Sequence, residues 1–177
     1  MTFITTDDLQ AFQNKYVDEE QTELLQTYCN AGMEKVKNFL GYNPEKTECT
    51  IEKYGTGGTL FSLDAKPIVL IESVTVDDIE VDVSLFRVKS DNYIIYKDGN
   101  TFDAEKFYNI KYVAGFEEVP GAIKLCALQL ASLYWESAGG NLAVSSTSFA
   151  DTGSRVFNNF TADRFLKEIE NYRILKF

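Results

Sequence analysis

The stretch Ile110–Glu136, IKYVAGFEEVPGAIKLCALQLASLYWE, decides the fold. Upstream and into it, Tyr108, Ile110 and Tyr112 alternate with Asn109, Lys111 and Val113, the period-two pattern of a strand with one buried face. Gly115 and Pro120 end that strand. Pro120 stands where a helix can begin, because the first turn needs no N–H from it. From Ala122 to Glu136 the strongly polar side chains are Lys124, Gln129, Ser132 and Glu136, and at 100° per residue they share one arc. The rest of the circumference is apolar. Such a helix belongs in the middle of a bundle or at a subunit contact, and it is too interrupted for the roughly 20 apolar residues of a bilayer span.

Working outward, Thr6, Asp7 and Asp8 offer an N-cap and first-turn carboxylates for a short helix through about Asn14. Asp18 with Gln21 resembles a capping box for a longer helix that stops at Gly41 and Pro44. Leu25, Cys29, Gly32, Val36 and Phe39 form its apolar stripe, with Tyr28 and Leu40 beside them. Gly32 weakens a helix interior, so it marks the close approach of another backbone. Between Thr47 and Tyr112 the pattern turns to strands: Ile68–Val76, Val81–Val88, Tyr93–Tyr96 and Phe107–Tyr112. Asp77-Asp78 and Lys97-Asp98-Gly99-Asn100 supply the turns. A small-residue loop from Gly139 to about Asn158 follows. Thr161 then caps a last helix with Phe165, Leu166, Ile169 and Tyr172 on one face.

The expected class is therefore α+β. A helical core of two N-terminal helices, a buried central helix and a C-terminal helix carries an inserted, mainly antiparallel β section. With no repeat and no Pro-rich linker, residues 1–177 are expected to form one domain, with helices over 6–41, a β section over 47–113 and helices over 120–138 and 161–173.

Composition narrows the function. Hydrophobic residues make up 45% and aromatics 14% of the 177 residues, which supports a folded core. The net charge of −10 opposes general adhesion to nucleic acid or anionic membranes. It is compatible with DNA sliding past without being gripped. The absence of histidine removes the commonest general base and the Ser-His-Asp and Cys-His arrangements. Cys29, Cys49 and Cys126 are odd in number and lack a C-x-x-C pair, and they read as core thiols in a reducing compartment. The acidic start MTFITTDDL does not read as a secretory signal.

The remaining candidates for chemistry each have a simpler reading. Gly55-Thr56-Gly57-Gly58 lacks the Gly-Lys-Ser/Thr closure of a phosphate loop and reads as a turn. Asp78, Glu80 and Asp82 alternate as hard-cation ligands could, but a solvated acidic edge explains them. The serines in the 145–148 run have no nucleophile elbow around them. No cofactor, metal or catalytic residue is expected. At the C-terminal end, Ile174, Leu175 and Phe177 extend apolar character beyond the helix stripe. They either pack on their own domain or anchor a neighbouring protein.

The chain resembles the head–tail connector (adaptor) family of long-tailed bacteriophages. The resemblance rests on the "Y-x-A-G" strand end and the "P-x-x-I-K" helix entry, here Tyr112, Ala114, Gly115, Pro120, Ile123 and Lys124. It rests also on the "P-I-x-x-I-x-S-V" strand entry at Pro67, Ile68, Ile71, Ser73 and Val74, and on Phe39-Leu40-Gly41 closing the second helix. Where relatives often have Asp-Gly at the turn, this chain has Asp77-Asp78. The resemblance implies a non-enzymatic virion protein of the neck, assembled in the host bacterial cytoplasm. It implies a homo-oligomeric ring, commonly twelvefold, between the portal protein and a head-completion or stopper protein. Double-stranded DNA would pass through without specific binding, and no membrane is involved. The candidate partner-binding residues are Phe165, Leu166, Ile169, Tyr172, Ile174, Leu175 and Phe177.

Overall fold

A computed structural model describes residues 2–138, 146–149, 153–156 and 162–174. In chain order the elements are α1 (Thr6–Gln13), α2 (Glu19–Leu40), β1 (Thr47–Tyr54), β2 (Phe61–Ser62), β3 (Ile68–Val76) and β4 (Ile79–Val81). A 3-10 turn (Val83–Leu85), β5 (Phe86–Ser90), β6 (Tyr93–Tyr96), β7 (Phe107–Ala114) and α3 (Gly121–Ala138) follow. β8 (Ser146–Phe149), β9 (Gly153–Val156), α4 (Ala162–Lys167) and a 3-10 turn (Glu170–Tyr172) complete the order. The α+β class, with a buried central helix and an inserted antiparallel β section, is as the sequence predicts.

Two compact units emerge: Met1–Phe39 with Gly121–Tyr172, and Leu40–Pro120 with Arg173–Phe177. In the first, α1 opens with a capping box. The Asp8 N–H donates to the Thr5 hydroxyl at 3.1 Å, and the Thr5 N–H donates to the Asp8 carboxylate at 2.8 Å. The cap thus lies one residue before the expected Thr6. Leu25, Cys29, Met33 and Val36 of α2 are buried, as are Ile123, Cys126, Ala127, Leu130 and Ala131 of α3. Where the two helices meet, a Cβ on Gly32 would lie 2.7 Å from the Ala127 carbonyl oxygen. Small residues on both sides let the backbones touch, the close approach that Gly32 signalled.

In the second unit, β7 is one of the two inner strands of a four-stranded antiparallel sheet in the order β1-β7-β3-β4. Its Tyr108, Ile110 and Tyr112 are buried on one face. A second sheet, ordered β2-β6-β5, packs Phe61, Phe86 and Phe102 with Tyr96 and Tyr108 in one aromatic cluster, ring centroids 4.5–6.2 Å apart. At the end of β7 the chain turns at Gly115, whose φ is +109° and whose Cβ would meet the Glu45 carbonyl oxygen at 2.3 Å. The Gly115 N–H donates to Pro67 and the Phe116 N–H to Pro44, so this corner is stitched on two sides.

Three sequence expectations change. The single strand over Val81–Val88 is divided, because the Asp82 carboxylate accepts the Ser84 N–H at 2.8 Å and caps a 3-10 turn between β4 and β5. The last helix shortens to α4 and passes into i→i−3 bonding, with the Ile169 N–H donating to Leu166 and the Tyr172 N–H to Ile169. That winding eclipses residues three apart and brings Leu166, Ile169 and Tyr172 to one side. Within the expected loop over 139–158, β8 and β9 pair antiparallel; the rest of that loop, and Thr161, lie outside the described residues.

Two substitutions test this packing. Gly32→Val drives a side chain into the α3 backbone and is expected to cost about 1–3 kcal/mol, read as a lowered Tm. The β3–β4 turn holds Asp77 and Asp78 at φ 50° and 66°, the left-handed region of a two-residue hairpin. Asp77 is held there by its Oδ1, which accepts the Phe107 N–H at 2.9 Å, whereas Asp78→Gly only relieves strain. Chemical denaturation of that variant is expected to show about 1 kcal/mol of added stability.

Candidate functional site

The groups that chemistry would need are committed elsewhere. In Gly55–Gly58, the Gly55 N–H donates to Lys106 and the Gly57 N–H to Phe102, while the Gly58 N–H faces the Thr56 hydroxyl. These are the N–H groups a phosphate cradle would have to offer. Gly55 is required instead by packing, since a Cβ there would sit 2.0 Å from the Asp103 carbonyl oxygen. The Asp82 carboxylate accepts from Ser84, whose hydroxyl and then N–H hold its pKa below the ordinary value. Among the described residues no group of three His, Cys, Asp or Glu could hold a metal ion.

An open cavity of about 640 Å³ in the second unit is lined by Val76, Val81, Tyr96, Asp103, Glu105 and Tyr108 among others. The Tyr108 hydroxyl accepts the Asp103 N–H at 3.1 Å. Burial, then the hydrogen bond with Tyr108, pushes the Tyr96 hydroxyl upward, so it stays protonated and offers no base. The Tyr112 hydroxyl likewise accepts the Asp64 N–H at 3.2 Å and is raised by burial. Both tyrosines tie loops to β7.

What the structure offers instead is apolar surface beyond the needs of the core. On α3, Leu125 is 40% exposed, and Leu128, Leu133, Tyr134 and Trp135 are half-buried. Trp135 meets Tyr28 of α2 edge-on at 5.8 Å. Tyr16, after α1, is 93% exposed. Sequence reasoning missed Val69 and Leu70, which are 49% and 56% exposed on β3. Register shifts against β7 at Ile68/Leu70 and Ile71/Ser73 bury Ile68, Ile71 and Val74, every third residue rather than every second. The run PIVLIES shows no alternation, and that was the one available signal.

The C-terminal candidates divide. Leu166 and Ile169 are buried, so they have little area to give a partner. Phe165 and Tyr172 are half-buried. Ile174 is also half-buried, and its N–H donates to the Leu40 carbonyl at 3.0 Å, which fixes the start of the tail within the second unit. Leu175 and Phe177 lie outside the described residues.

The chain belongs to the head completion protein family, whose sequence profile matches residues 2–158. Curated protein sequences yield no match. Among solved structures it is similar to a chain from the neck of an empty GTA particle with C6 symmetry, at 12% identity over 98% of this chain and 91% of that one, with a TM-score of 0.66. A chain of the virion of a native gene transfer agent (GTA) particle is also similar, at 12% identity over 92% and 81% with a TM-score of 0.59. A chain of the neck of a native GTA particle with C12 symmetry matches at 12% identity over 90% and 86%, TM-score 0.58. At that identity the likeness is one of fold.

The thiols give a test of the core. Burial, with Asp8 nearby, pushes Cys29 up to about 11; burial, with Glu168 nearby, pushes Cys126 up to about 12. The folded state then keeps protons that the unfolded chain releases above pH 9.0, the ordinary thiol value. This stabilisation is complete below pH 9 and is lost as pH rises toward 11–12. Urea denaturation at pH 8 and pH 10.5 is expected to show lower stability at the higher pH, with a smaller drop in Cys126→Ala.

Proposed function

We propose that this protein is a structural component of a virion neck, forming a homo-oligomeric ring that joins portal to the tail-completion components and extends the DNA channel. The observation that carries the reading is the family match over residues 2–158. The fold shared with chains of GTA neck particles supports it. So does the half-covered apolar side of α3, since a closed ring of identical subunits needs two different complementary patches on each copy. The net charge of −10 suits a channel wall that lets DNA pass without holding phosphates. Its work is binding and geometry rather than catalysis, and it acts in the virion after assembly in the host cytoplasm. Among the described residues no helix is long and apolar enough to cross a membrane.

A second reading keeps the neck but changes the level. The family's description favours a head completion component, a different tier of the same stack from the connector that the sequence motifs resemble. Partner choice separates the two. Native mass spectrometry of the chain alone is expected to show a monomer or a mixture, and addition of portal is expected to shift it to a ring. Binding to a neighbouring neck protein but never to portal supports the second reading; binding to neither overturns both.

The tail supplies the finer test. Ile174 has a bond to its own unit, so Leu175 and Phe177 are the residues proposed to enter a groove on portal. Truncation after Ile174 is expected to leave Tm unchanged and to weaken portal binding at least tenfold. A buried apolar side chain contributes roughly 1.5–3 kcal/mol, and a factor of ten is about 1.4 kcal/mol. A large fall in Tm with docking retained would make the tail part of the core.

A further inference from the structure

Two of the four outer strands in the second unit, β1 and β5, expose side chains of opposite charge. β1 is the outer strand of its sheet and pairs with β7 over all eight residues with no register shift, and among the described residues its other side has no strand beside it. On its outward face Glu48, Thr50 and Glu52 are exposed. β5 is the outer strand of the other sheet; Arg87 and Lys89 are both exposed on it, and a register shift against β6 between Val88 and Ser90 sets Lys89 out of the regular alternation. The face opposite Arg87 starts with buried Phe86 and continues with Val88, 41% exposed. A regular, unpaired edge of this length is a template for another strand, and folded proteins seldom leave one unguarded.

Resting on the ring reading above, we infer that the subunits join edge to edge, β5 of one copy adding to β1 of the next. In that arrangement Arg87 stands opposite Glu52, and Lys89, displaced by the register shift, lies along the same Glu48–Thr50–Glu52 row within reach of a long side chain. The core-facing side then covers Val88 with the Cys49–Ile51 side of β1. Charge also selects the partner edge. β1 against β1 sets carboxylate against carboxylate, and β5 against β5 sets base against base, so the symmetric dimers are disfavoured. What remains is a head-to-tail contact, the kind that closes into a ring.

Charge exchange tests this directly. The full chain is mixed with portal at low ionic strength and the assemblies are weighed by native mass spectrometry. Glu48→Lys with Glu52→Lys, and separately Arg87→Glu with Lys89→Glu, are each expected to lower the ring fraction at least tenfold. Mixing the two variants is expected to restore it as an alternating ring with an even number of copies, and the fourfold variant to assemble alone. Recovery in the mixture also shows that both variants fold. Either double variant assembling as wild type does, or a mixture that stays dissociated, overturns the edge pairing and leaves the neck reading standing. Rings that persist while portal binding is lost assign the β1 edge to the other protein instead, and overturn it too. Wild type that never assembles and never binds portal removes both.

Discussion

The second unit depends on one close contact, the backbone of Gly115 against the carbonyl of Glu45. No side chain fits there, and the chain must leave β7 with a positive φ. The corner lets β7 run between β1 and β3 and then turn away at once toward the start of α3. Its hydrogen bonds to Pro67 and Pro44 bind the segments that precede β3 and β1, so one glycine fixes where three strands begin or end. The tyrosines of β7 extend this control. Tyr108 and Tyr112 bury their rings in the core and their hydroxyls accept the Asp103 and Asp64 N–H groups, so the loops that flank the strands are positioned by the same central element.

In the first unit the equivalent constraint is the contact of Gly32 with α3. Gly32 meets Ala127 and Ala131 with no large side chain at the crossing, and Leu25, Cys29 and Val36 of α2 and Ile123, Ala127 and Leu130 of α3 are all buried. α3 is apolar around most of its circumference, and only part of that surface is consumed by its own unit. Ile123, Cys126, Leu130 and Ala131 are buried, whereas Leu125 is exposed and Leu128 half-buried.

Much of this was legible in the sequence. β3 and β6 lie where β-branched and aromatic composition and turn residues put them, and α3 starts just after Pro120 as its fixed φ requires. Gly32 announced a close contact because a helix keeps a costly glycine only for space. The break between β4 and β5 was hidden, since Val81–Val88 has strand composition throughout and a single aspartate side chain, choosing its neighbour's amide, decided against the strand. The 3-10 ending after α4 was hidden for a related reason: spacing of three and four reads alike in a short helical stripe. The candidate surface was only half visible. Charge and the missing histidine pointed away from catalysis, but open edges belong to topology, and nothing in the wording of β1 or β5 says which strand lies beside them.

The register shifts in β3 have a consequence for how this segment tolerates change. Folding reads the strand in triplets, through Ile68, Ile71 and Val74, and is indifferent to the two residues between each pair. Drift under selection for folding alone would therefore turn Val69 and Leu70 polar while holding every third position. A library of variants sorted first for stability and then for assembly would separate the two pressures, because apolar residues retained at 69 and 70 only in the second sort answer to something outside the subunit.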